Sequence, residues 1–509
     1  MAFGRKEHTR RDFLKVAGAG TVIMALSGAA GCKPARSNIK ASSSKPETRR
    51  ATSSSPKVPD TKWTFRSRPD LVPPIVEVTT RAHDTSPGYV FIAPKVGVKQ
   101  DGPMILDDSG RLVWFSNGSY ARDFKVQRYQ GNLVLTWWDG KVIHGHGAGE
   151  FVIFDESYRE ITRVRAGNGY EGDLHEFLIS PQGTALILAY DPVPVDLSPV
   201  GGPGDGAAWD GIVQELDIET GEVLFEWHSL DHVEIDKSYH GLPDDPARPF
   251  DYFHVNSIGV DYDDNLLISA RNTCAVYKVD RRSGEIIWRL GGKDSDFEMG
   301  PGTRPAYQHD ARRQDDGTIS IFDNGSYPTV HEQSRGIVLE LDMDQMTASL
   351  IHEYTRPEGI VARSQGNIQI LPNGNAFVGW GSEPFFSEYS SDGQLLFDAR
   401  FASYTNESYR AFRFPWTGRP DDEPAVVAEA GIGDGEVTIY ASWNGATEVA
   451  SWRVLAGSRP DAMKPLRTLP REGFETVLNV QADGPYVGVQ AMDSSDRVLG
   501  VSQAVEIET

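Results

Sequence analysis

Polar residues, two of them histidines and a third histidine two residues away, stand at one recurring place in the sequence. In GDLHEF, DYFHVNSI and QHDARR, counting back eight residues from the turn residues Gly183, Asp264 and Gly317 reaches His175, Asn256 and His309, and His254 lies two before Asn256. Alternating residues of a strand share a face, so the spacing predicts that His254 and Asn256 point the same way. If these strands are innermost in a repeating array, their imidazoles converge on one axis. Imidazole can ligate a metal, move a proton or act as a nucleophile, and its neighbours decide which. Arg271, in LLISARN, follows the DYFHVNSI strand by one return hairpin and so approaches the same axis. A guanidinium among neutral donors suits an oxyanion better than a cation. The competing arrangement places Asp173, His175, Glu176 and Asp310 around a metal ion, as in a metal-dependent hydrolase or lactonase. A non-catalytic binding protein is the third reading.

These residues need a scaffold that repeats. From 63 to 420 the chain alternates short β-branched or aromatic runs with Gly, Asp and Asn turns, with almost no helical period. One hairpin recurs, in which an apolar strand meets an acidic turn and then a strand ending in an aromatic. It occurs near Gly110, Arg159, Gly221, Gly284, Met346 and Gly393, at a mean spacing of about 57 residues. Propeller blades run about 40 to 50 residues, so six hairpins with long loops predict a six-bladed β-propeller over 63–420. After 421 the segments TIYASWNG, SWRVLAG, ETVLNV and YVGVQAM predict an immunoglobulin or fibronectin-like β-sandwich. The expected fold class is all-β, and no candidate chemical residue falls in the last domain.

Composition limits the partners. The 50 Lys and Arg against 72 Asp and Glu give a net charge of −22, which repels nucleic acid and anionic lipid. Two cysteines, Cys32 and Cys274, cannot build a disulfide scaffold or a thiolate metal cluster. Residues 1–32 read as a secretory signal of the twin-arginine type, with Arg10-Arg11 followed by Phe13-Leu14-Lys15 and an uncharged run from Val16 to Gly31. The stretch ending at Cys32 resembles a lipoprotein cleavage box, with Ala29 where Leu is usual, and predicts lipidation of Cys32. Residues 33–62, rich in Ser, Lys, Pro and Thr, read as a flexible stalk. The expected location is therefore periplasmic or cell-surface, through a lipid anchor.

The motifs DLHEF, YFHVNS, WRLGGK, QHDAR, IFDNG, QGNIQILPNGN and SYRAFRFPW together resemble the arylsulfate sulfotransferases of bacteria and fungi that work without a nucleotide sulfate donor. The resemblance runs from about Ser67 to Pro420 and omits the last domain. It implies a histidine nucleophile in a propeller channel, a phenolic sulfate donor, a phenolic acceptor, no cofactor and no metal. Matched residue by residue, it implies that His309 becomes sulfated, that His254 and Asn256 hold the sulfuryl oxygens, that Arg271 neutralises them and that His175 is a further channel histidine. The disulfide of some members cannot form, because Cys274 has no partner in the globular part. The absence of a Walker-type loop also argues against a nucleotide donor.

Other motifs carry less. His144-Gly-His146-Gly reads as a mobile loop rather than a metal pair, and GGPGDG at 201–206 as a surface loop. Trp137, Trp138, Trp380, Phe385 and Phe386 are candidates for stacking an aryl group, although aromatics of this kind usually pack between blades.

Overall fold

The computed structural model describes residues 61–508, all within one compact unit, Pro59–Thr509. The twin-arginine motif, Cys32 and most of the stalk lie outside the described residues. The chain is all-β, as its alternation of short apolar runs and turn residues requires.

Six four-stranded antiparallel meanders occupy residues 76–414. Five follow the chain: Arg122–Tyr129 to Glu160–Val164, Gly172–Ile179 to Val223–His228, Val255–Val260 to Ile286–Gly291, His309–Arg313 to Thr347–Tyr354, and Asn367–Ile370 to Leu395–Phe401. The sixth is shared between the chain's two ends. Glu407–Phe414 pairs with Tyr89–Lys95, which continues to Met104–Leu106 and Leu112–Phe115. Val76–Thr80 likewise adds to the outer edge of the Asn367–Phe401 meander. The first strands of the six meanders pack beside one another in closed order, from Glu407–Phe414 through Arg122–Tyr129, Gly172–Ile179, Val255–Val260, His309–Arg313 and Asn367–Ile370 back to the start.

The acidic turns recognised in the sequence each join the third and fourth strands of one meander. Gly110, Gly221, Gly284 and Gly393 all take φ between 73° and 85°, the left-handed conformation that favours glycine. The hydrophobic clusters lie between meanders; one packs Leu186, Leu188 and Val213 against Val255, Ile258 and Ile268.

Five of the six first strands are irregular where they meet the axis. Ladder register shifts beside Asp123, between Gly172 and Phe177, beside Asn256, beside Asp310 and beside Tyr409. Asp123, His254 and Asp310 have φ of 55°. Such bulges re-aim side chains. This corrects the shared-face reading of His254 and Asn256, because His254 precedes the strand in a left-handed conformation and strict alternation does not hold there.

Residues 425–506 form two further sheets around their own core, including Val437, Ile439, Trp452, Val454 and Val489. They are also bonded to the meanders. The Asn444 amide pairs with both the N–H and the carbonyl of Phe115 at 3.0 and 2.9 Å, and Gly445 N–H donates to Val113 at 2.9 Å. Phe474 joins the cluster containing Leu71, Val90 and Phe115. The edge of strand Leu112–Phe115 is thereby covered, as exposed sheet edges require.

Candidate active site

His309 is the first residue of its strand and is buried. The Asn324 amide donates both hydrogens to carbonyls, to Ala362 at 3.0 Å and Gln365 at 2.9 Å. Its Oδ1 therefore faces His309 as an acceptor, 2.7 Å from Nδ1. The imidazole must carry its proton on Nδ1, and Nε2 is left with a lone pair, which accepts the Gln365 N–H at 3.1 Å. Burial pushes the His309 pKa well below its ordinary value, and the Arg271 charge adds to this; the Asn324 bond opposes both without overcoming them. His309 is neutral at physiological pH.

Arg271 supplies the positive charge. Its guanidinium donates to Asn272 Oδ1 at 2.7 Å and to the Arg363 carbonyl at 3.2 Å, lies over the Tyr307 ring at 5.2 Å, and leaves Nε buried without a partner. Among the described residues no carboxylate forms an ion pair with it.

Three more histidines gather at the same end of the first strands. His175 and His254 stand perpendicular at 4.9 Å between ring centroids, and His146 lies 5.5 Å from His254. Each has a carboxylate. Asp173 pairs with His175 Nδ1, and Asp251 Oδ2 pairs with His254 Nδ1 at 2.6 Å and lies 3.6 Å from His146 Nε2. Burial opposes ionisation of Asp251, but His254, His146 and Arg271 outweigh it and hold the carboxyl well below the usual range. Burial lowers His146 to about 4, and it lowers His254 against the pull of Asp251. Tyr190, Trp209 and Tyr409 wall the group, with ring centroids 4.2 Å and 4.7 Å from His146 and 5.6 Å from His175 respectively.

His146, Asp251 and His254 have the residue types of a metal site. A tetrahedral zinc shell spaces its donors about 3.3 Å apart, whereas the 2.6 Å between His254 and Asp251 is a hydrogen-bond distance. The carboxylates of the competing metal arrangement are engaged elsewhere. Asp173 serves His175 and the Gly147 N–H, while Glu176 and Asp310 sit one strand step further along in a buried charge cluster with Arg312, Arg410, Lys125 and Asp123. Burial resists the charge on Glu176, yet Arg312, Arg410 and Lys125 hold it ionised, well below its ordinary pKa. Arg410 also donates to the Asn256 carbonyl at 3.0 Å, tying this cluster to the strand behind His254.

The structure thus brings His309, Arg271, His254 and His175 to one place. Asn256 is fully buried, donates one amide hydrogen to the Gln308 carbonyl at 2.7 Å, and leaves Oδ1 without a partner. His146, read from sequence as part of a loop, turns inward from the long hairpin Asn132–Ile143 and His146–Phe154, while His144 stays exposed at its tip. Asp251, Asn324 and Gln365 were not singled out from sequence, although all three lie within or beside the motifs quoted above. The aryl-stacking candidates Trp137, Trp138 and Trp380 are buried, with their indole N–H groups bonded to Ser119, Gly172 and Ser387. Phe386 is core and Phe385 stacks on Arg356. Cys274 is a free, buried thiol whose pKa burial raises to about 11.

Among solved structures, a protein of unknown function from Bacteroides caccae is similar at 13% identity over 64% of this chain and 98% of its own, with a TM-score of 0.39. A catalytically inactive virginiamycin B lyase from Staphylococcus aureus, with quinupristin, is similar at 10% identity over 73% of this chain and 97% of its own, with a TM-score of 0.33. No curated protein matches the chain. The arylsulfotransferase (ASST) family model matches residues 125–402, which contain His175, His254, Asn256, Arg271 and His309. The match spans more than half of the chain, and the protein belongs to the arylsulfotransferase (ASST) family.

Proposed function

We propose that the protein transfers a sulfuryl group from a phenolic sulfate ester to a phenolic acceptor in two displacements through a sulfated His309. The family assignment supports aryl sulfate and phenolic substrates. The observation that carries the reading is the His309 tautomer, with its proton held on Nδ1 by Asn324 and its lone pair on Nε2. In the first displacement that lone pair attacks sulfur, and the S–O bond breaks to release a phenolate. Gln365, whose N–H now rests on Nε2, is freed to donate to a sulfuryl oxygen as the N–S bond forms. Arg271, which forms no direct ion pair among the described residues, receives the charge on the equatorial oxygens, beside His254 and His175. Asn256 holds the Gln308–His309 backbone and has a second amide hydrogen for the sulfuryl group. A second phenol then takes the group from His309. Dividing one exchange into two displacements is the logic of covalent catalysis.

The scaffold we infer is a six-bladed β-propeller over 63–420, closed by Glu407–Phe414, with a β-sandwich over 421–509. The closed order of the six first strands supports this. Export through Arg10-Arg11 with lipid attachment at Cys32 completes the reading, and Arg10→Lys with Arg11→Lys is expected to keep the precursor in the cytoplasm.

The test is p-nitrophenyl sulfate with a panel of phenols. Sulfated phenol formed in step with p-nitrophenolate is the expected result. Binding without turnover indicates a receptor, and release of free sulfate at the same rate with or without a phenol indicates a hydrolase.

A further inference from the structure

His254 leads into its strand in a left-handed conformation, so its ring turns away from the ladder toward the other histidines. Asp251 faces it from its own loop, His146 from the long hairpin, His175 from strand Gly172–Ile179, Tyr190 from strand Thr184–Val195, and Arg271 and His309 from the adjoining turn and strand. Its side chain is 13% exposed, against 5% for both His146 and His175. Among the described residues no protein atom bonds its Nε2.

A neutral imidazole has one N–H, and that of His254 is committed to Asp251 at 2.6 Å. Nε2 therefore meets the site as a lone pair. A lone pair cannot hold a sulfuryl oxygen, but it can take a proton. His146 Nε2 lies 3.6 Å from the same Asp251 oxygen, and the other carboxylate oxygen has no partner among the described residues.

We propose that Asp251 and His254 form an acid–base dyad that exchanges a proton with the phenolic oxygen. The proposal rests on the sulfotransferase reading above. In the second displacement the phenol O–H gives its proton to His254 Nε2 as the O–S bond forms. The S–N bond breaks, and its electron pair returns to His309 Nε2. Asp251 stabilises the imidazolium, which protonates the phenolate expelled in the next first displacement, so no proton is lost or gained over a cycle. While protonated, the same N–H can donate to a sulfuryl oxygen, and the two roles of His254 alternate in time.

General-base assistance is typically worth about 10² to 10⁴ in rate and matters most for the least acidic phenols. Nitrophenolate, a good leaving group, needs no proton. The experiment compares the p-nitrophenolate burst with subsequent transfer to phenols of graded acidity, for the native chain, His254→Gln and Asp251→Asn. In both variants the ratio of transfer rate to burst rate is expected to fall about 10²-fold for unsubstituted phenol and less than about 3-fold for a nitrophenol. A ratio that falls equally for every acceptor, or not at all, overturns the dyad while leaving the burst, and so the sulfotransferase reading, intact. Asp251→Asn preserves side-chain volume and decides the matter if His254→Gln does not fold. A native chain that gives no burst overturns both readings.

Discussion

The Asn324 amide accepts the Nδ1 proton of His309 at 2.7 Å, and this one bond decides which imidazole nitrogen is free to react. The orientation of the amide is itself set by the carbonyls of Ala362 and Gln365, so the nucleophile's protonation state is built into the backbone around it.

Asn324→Asp tests this relationship through pH. A carboxylate at Nδ1 stabilises the imidazolium and raises the His309 pKa by about 1 to 3 units. Only neutral His309 can attack, so donor turnover is lost as pH falls through that pKa. The acid limb of the burst rate is therefore expected to move to higher pH in the variant. An unchanged limb would show that Asn324 does not set the charge of His309.

The charge cluster behind the histidines is a stability element. Arg410 is fully buried and bonded to Asp123 at 2.9 Å and Glu176 at 3.3 Å. Arg410→Met leaves those carboxylates buried beside fewer cations, a change that typically costs about 3 to 5 kcal/mol. Denaturant unfolding measures it, and a loss below about 1 kcal/mol would contradict the assignment.

A second stability prediction concerns alkaline pH. The bond from His228 to Asp210 raises the imidazole pKa to about 9 despite partial burial, and Glu226 helps. A folded-state value above the unfolded 6.5 contributes stability that is complete below pH 6.5 and lost as pH rises to about 9. With solvent screening this is about 1 to 2 kcal/mol. His228→Gln is expected to flatten that part of the stability profile; an equal alkaline decline in both proteins would assign it to other groups.

Much of the fold was legible because its turns are chemically marked. An acidic residue followed by glycine closes the hairpins at Gly110, Gly221, Gly284 and Gly393, and each glycine takes the positive φ the turn needs. The common register of His175, Asn256 and His309 was legible for the same reason, since a repeated hairpin repeats its positions. What sequence could not give was the irregularity in five of the six first strands, which breaks period-two reasoning at His254 and Asp310. Nor could it give which side chains meet once the strands are folded together. Asn324 reaches His309 from a return strand's end, and His146 reaches Asp251 from a hairpin more than a hundred residues earlier. Trp137, Trp138 and Trp380 follow the packing that the sequence reading gave as usual for such aromatics, because a buried indole with a bonded N–H is an ordinary way to fill a core.

Removal of residues 421–509 is expected to cost solubility although every candidate catalytic group lies elsewhere. It uncovers the edge strand Leu112–Phe115 and takes Phe474 out of a shared cluster. Sedimentation of the truncated protein should show self-association at concentrations where the full chain is monodisperse. A monodisperse, equally stable truncation would indicate an independent module.

The central claim is that His309 carries the sulfuryl group between substrates. Intact-protein mass spectrometry after mixing with p-nitrophenyl sulfate alone, at mildly alkaline pH, reads it most directly. One added sulfuryl group per chain, mapping to His309 and discharged by a phenol, is the predicted result, with no adduct and background turnover in His309→Ala. An adduct on another residue, or substantial transfer by His309→Ala, would contradict the account.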